Sequence, residues 1–81
     1  MHELAITEQI IRMAADKARE AGAQAVTQIH LVVGGRSGYA AESIRMYFGM
    51  MSEGTLCEGA ELEFEVSQAD EFYLDSIEVM T

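Results

Sequence analysis

Residues 60–80 read AELEFEVSQADEFYLDSIEVM, and the layout of this stretch decides the fold. Leu62, Phe64 and Val66 alternate with Glu61, Glu63 and Glu65. That period of two marks a strand with one apolar and one acidic face. After SQAD, residues 67–70, the segment FYLDSIEVM sets Tyr73 or Leu74 through Ile77 and Val79 in a comparable rhythm, a further strand. The intervening residues are few enough for a hairpin, so the two strands are expected to pair antiparallel.

Working upstream, YAAESIRMYFGMMSEG (39–54) places Ile44, Tyr47, Phe48 and Met51 at helical spacing. The spacing predicts an amphipathic helix closed by Gly54. Before it, GGRSG breaks a strand in which Ile29, Leu31 and Val33 alternate with Gln28, His30 and Val32. The first segment, TEQIIRMAADKAREA (7–21), carries Ile10, Ala14, Ala18 and Ala21 on one stripe and Leu4, Ile11 and Ala18 on the adjoining seam. Lys17 and Arg19 suit the negative end of that helix, and Gly22 fits the position just past it. Its start falls between Glu3 and Thr7.

The order is helix–strand–helix–strand–strand. The strand–helix–strand unit predicts a right-handed crossover. The expected architecture is a two-layer α+β domain, with two helices packed on one face of a three-stranded sheet and the acidic side of the strands in water. The last strand is expected at the centre, antiparallel to both neighbours. The 81 residues make a single domain, 1–81, without repeats or linkers.

Composition narrows the functional classes. The 14 acidic against 5 basic residues give a net charge of −9, which opposes binding to nucleic acid or to an anionic membrane. No apolar run approaches the ~20 residues of a membrane span, and the N-terminal stretch has no basic leader, so the expected location is the cytoplasm. The single cysteine, Cys57, excludes an intramolecular disulfide and a four-thiolate zinc site. GGRSG lacks the lysine and spacing of a phosphate loop. No nucleophile–base pair is legible, so no enzyme is expected.

The opening residues, MHEL, invite a reading as a metal site. The Met1 amine, the His2 backbone nitrogen and the His2 Nδ1 can close a five-membered and a six-membered chelate ring around one ion. Planar nitrogen coordination suits Ni(II) or Cu(II). The Glu3 backbone nitrogen or carboxylate, water or a partner's group could complete it. These ligands must lose protons to bind, so affinity should fall as the pH drops below neutral. The plain alternative is a solvent-exposed terminal histidine. His30 is expected on the strand's polar face, Cys57 in a partly buried loop, and Met46, Met50 and Met51 as filler or contact surface.

Several of these pieces occur together: MHE at the start, GGRSG, ESIRMYF, GTLCEGAELEFE and EFYLDSIEV. In this order the chain resembles the HypA/HybF family of hydrogenase nickel-incorporation proteins. The resemblance implies a cytoplasmic nickel metallochaperone that binds Ni(II) at Met1, His2 and Glu3. It further implies a HypB-type GTPase partner and a hydrogenase large-subunit precursor as recipient. Family members carry a zinc ribbon with paired Cys-x-x-Cys motifs between the last two strands. Here only VSQADEF stands there, so the insertion is absent between about 66 and 72 and no structural zinc is expected. The alternative is a metal-independent interaction module of the same fold, docking on the GTPase or the precursor.

Overall fold

The computed structural model describes residues 2–81, and their side chains from Glu3 onward. Helix α1 spans His2–Glu20, strand β1 Ala25–Gly34, helix α2 Ala41–Met51, strand β2 Glu61–Ser67 and strand β3 Phe72–Met80. The two-layer α+β architecture and the element order are those expected.

Helix α1 buries Ile10, Ile11, Ala14, Ala15 and Ala18. The three alanines on this face let the neighbouring layer approach closely. The helix ends in a Schellman arrangement, with Ala23 N–H donating to Ala18 O and Gly22 N–H to Arg19 O, at 2.9 and 3.0 Å. Gly22 takes φ 71°, a left-handed conformation that L side chains resist. Leu4 and Ala21, placed by periodicity on the apolar stripe, are exposed. Helix α2 buries Ile44 and Phe48 and stops at Met51, three residues before Gly54. The following turn closes through Thr55 Oγ1, which donates to Ser52 O at 2.7 Å.

The sheet order is β2–β1–β3, with β1 parallel to β2 and antiparallel to β3. This corrects two expectations: β2 and β3 do not pair, and the last strand lies at an edge. The reason is burial. Strand β1 hides Val26, Ile29, Leu31, Val32 and Val33, including adjacent residues that point to opposite faces. Such a strand belongs in the middle, where neighbours shield both of its edges. Strand β2 carries Glu61, Glu63 and Glu65 at alternate positions, and β3 carries Asp75 and Glu78, charges that suit an edge.

The connection of residues 68–71 therefore crosses the end of β1 instead of forming a hairpin. Two strand spacings are about 9.6 Å, which four extended residues can reach. The crossing is stapled by backbone bonds: Gly34 N–H to Glu71 O at 2.6 Å, Gly35 N–H to Ser67 O at 2.9 Å, and Arg36 N–H to Ala69 O at 3.2 Å. A Cβ on Gly34 would overlap the Ala69 and Glu71 carbonyl oxygens, so only glycine fits under the crossing chain.

Two irregularities set the phase of the apolar face. Register shifts fall between Val26 and Gln28 and between His30 and Leu31. The second leaves Asp75 as an extra residue on β3. Phe72 and Leu74 before it and Ile77 and Val79 after it all pack on the core.

Candidate metal centre

Glu3 stands in the first turn of α1, where a carboxylate complements the helix dipole. Its backbone carbonyl accepts from the buried Thr7 hydroxyl at 2.6 Å. Its carboxylate Oε2 accepts the backbone N–H of Ala40 at 3.2 Å. Ala40 is the N-cap of α2 and has no side chain able to cap, so an acid from α1 serves the start of the second helix. Nearby, the Tyr39 ring tilts against Phe72 with centroids 4.8 Å apart. The loop before α2 thus holds together the start of α1 and the start of β3.

Of the expected ligands, Met1 and the side chain of His2 lie outside the described residues. The His2 backbone opens α1, so its N–H belongs to the first turn and has no intrahelical partner. That nitrogen can bind a metal without breaking the helix ladder. Among the described residues, no three His, Cys, Asp or Glu side chains are arranged to hold a metal ion.

The other candidates separate in space. His30 sits on the sheet face away from the helices, so it does not join Glu3. Its Nε2 lies 3.1 Å from Glu65 Oε1 and its Nδ1 3.6 Å from Glu63 Oε1. The hydrogen bond to Glu65, together with the charges of Asp75 and Glu63, raises the affinity of the ring for a proton above the usual histidine value. This arrangement was not legible in the sequence, because it requires β2 to lie parallel to β1 with His30 opposite Glu63. Cys57 is fully buried, not partly, and its thiol donates to Ile11 O at 3.6 Å. Burial pushes the thiol up in pKa, so it is a packing residue and a poor nucleophile. Met46 and Met50 are exposed on α2, and Met51 is half-buried against the core. Arg45 lies 4.9 Å above the Phe64 ring and donates to Leu62 O, tying α2 to β2.

This fold recurs in solved proteins. The solution structure of the Ni metallochaperone HypA from Helicobacter pylori superposes with a TM-score of 0.86 at 16% identity, covering 96% of this chain and 97% of that one. A second HypA solution structure gives a TM-score of 0.83, also at 16% identity, over 99% and 97% of the two chains. The model of the family described as hydrogenase/urease nickel incorporation, metallochaperone, hypA matches residues 1–79. The class is thus that of the nickel-incorporation proteins of hydrogenase and urease. Among curated relatives, the hydrogenase maturation factor HypA of Chlorobaculum tepidum is 46% identical over 65 residues, covering 80% of this chain and 58% of that protein. The same factor from Dehalococcoides mccartyi is 42% identical over 65 residues, covering 80% and 55%. The chain belongs to the HypA family, and it spans somewhat more than half the length of these curated relatives.

Proposed function

We propose that this chain is a nickel-binding accessory protein, a metallochaperone for [NiFe]-hydrogenase maturation. It carries Ni(II) at Met1, His2 and Glu3 and passes it to a hydrogenase large-subunit precursor together with a HypB-type GTPase in the cytoplasm. It acts as a carrier and not as an enzyme. The observation that carries this reading is the family match, which begins at residue 1 and includes the Met-His-Glu segment. Among the described residues no helix is long and apolar enough to cross a membrane.

Physical chemistry supports the site. Near neutral pH a free Met1 amine carries one positive charge. Replacing its proton and the amide proton by Ni(II) leaves the local charge unchanged, so the positive end of α1 adds no extra electrostatic penalty. The Glu3 carboxylate is held by Ala40 N–H, which leaves the backbone nitrogens and the imidazole as the main donors. Nickel transfer then depends on donors at the first turn, where the backbone opens most readily.

The test uses protein with an unblocked Met1. Nickel titration followed by calorimetry and visible absorbance should show a planar d⁸ band and saturable binding. His2→Ala should remove both, and affinity should weaken between about pH 7 and 6. If the wild type binds no tighter than His2→Ala, the metal-independent docking module replaces the carrier.

A further inference from the structure

The sheet has a face that no helix covers. Strand β1 contributes Gln28, His30 and Val32 to it, with Glu61, Glu63 and Glu65 opposite them on β2 and Glu78, Ser76 and Tyr73 opposite them on β3. The bulge residue Asp75 is exposed there and acts electrostatically on His30. The five Lys and Arg residues are Arg12, Lys17, Arg19, Arg36 and Arg45, all on the helices or the loop after β1. Residues 46–81 contain no Lys, Arg or His. The basic side chains are therefore confined to the helices and the loop after β1, whereas acids lie on both layers, and His30 is the one cation-capable side chain among the described residues of this face.

The face also has a shape and an apolar element. Val32 is 4% exposed although it points away from the helix layer, and its cross-strand neighbour Tyr73 is 45% exposed. A phenol ring among carboxylates is a surface on which an ammonium or guanidinium group rests well. Every second residue of β2 presents a carboxylate, with Cα atoms about 6.6 Å apart. An extended chain has the same repeat. Like charges in a row on one face repel, and among the described residues His30 alone interleaves them.

We propose that the open face of the sheet docks an extended basic protein segment, with Lys or Arg at alternate positions matching the carboxylates of Glu61, Glu63 and Glu65. Tyr73 forms the apolar part of the seat, packed beside the buried Val32, and Glu78 bounds it on the β3 side. Recognition is a matter of charge complementarity and spacing. It is independent of nickel and uses a surface on the side of the sheet opposite the start of α1.

The test is titration of a short synthetic peptide of alternating lysine and valine into isotope-labelled protein, followed by amide shifts and calorimetry. Saturable binding is expected, with shifts on residues 28–32, 61–65 and 73–78 and loss of affinity as salt is added. The triple variant Glu61→Gln, Glu63→Gln, Glu78→Gln should lose affinity about tenfold or more. The variant Glu20→Gln, Glu42→Gln, Glu53→Gln changes net charge equally on the helix layer and should stay within about twofold of the wild type. Circular dichroism confirms that both variants are folded. Equal loss in the two variants would reduce the effect to net charge. Shifts confined to the helices, or no saturation, would make the face a solubilising surface only, and either result overturns the proposal.

Discussion

The two faces of the sheet are built from the same three strands and differ in almost every physical respect. The helix-covered face holds Val26, Ile29, Leu31 and Val33 of β1, with Leu62, Phe64, Leu74 and Ile77 on either side, and its energy is apolar burial. The opposite face is a field of carboxylates around His30, and its energetics depend on pH and salt. The comparison teaches that the fold and the surface chemistry of this protein are separable. Substitutions on one face should unfold the chain, whereas substitutions on the other should alter stability only slightly and change mainly what it meets.

The largest expected effect is on the covered face. Leu31 is fully buried, and Leu31→Ala should lose roughly 2–5 kcal/mol in urea unfolding. A domain of this size has about 4–12 kcal/mol in total, so the variant should lose a large fraction of its stability. Glu63→Gln, on the outer face of the same sheet, should stay within about 0.5 kcal/mol of the wild type at neutral pH. A comparable loss in both would erase the contrast.

Gly34 comes next, because it lies under the connection that joins the two edge strands. Gly34→Ala needs no unusual backbone angle, yet its Cβ meets two carbonyl oxygens of the 68–71 connection. Roughly 1–3 kcal/mol should be lost, with faster hydrogen exchange at Gly35 and Arg36. Gly35→Ala is the control, since its Cβ would stand 3.5 Å from the nearest oxygen and should be tolerated better.

The smallest effect is the most diagnostic for the open face. His30 binds its proton more tightly in the folded chain than the ordinary value of 6.5. The groups facing it are Glu63 and Glu65 from β2, Asp75, Ser76 and Glu78 from β3, and Gln28 on its own strand. A raised folded value means that the protonated ring stabilises the fold. That contribution is complete below about 6.5 and fades as the pH rises through the raised value. The stability gap between wild type and His30→Gln should thus be larger at about pH 5.5 than at about pH 8. A gap that grows with pH would mean that the imidazole is held neutral.

The elements themselves were legible from the residues. Helical spacing placed Ile10, Ala14 and Ala18, and alternation placed Leu62 and Phe64. The pairing departs from the expected hairpin, and the reason is geometric. Four residues between β2 and β3 suit a hairpin and equally suit a step across one intervening strand. What distinguishes these possibilities is the run Leu31, Val32, Val33, apolar on both faces, which asks for a central position. Strand β3 was ambiguous between Tyr73 and Leu74 because Asp75 is an extra residue, and a bulge breaks the period from which phase is inferred. The expected ligands Met1, His2 and Glu3 rest on sequence resemblance, and the Glu3 bond to Ala40 joins residues far apart in the chain.

By itself the sequence determined the number and kind of elements, the acidity of the strands and the membership of a nickel-handling family. These are local or compositional properties, carried by spacing of two or of 3.6 residues and by the order of short motifs. Only the tertiary structure decided which strand is central, which carboxylates surround His30 and why Gly34 must be glycine. Those facts depend on contacts between residues distant in the chain, where burial of β1 from both edges outweighs the ease of a short turn.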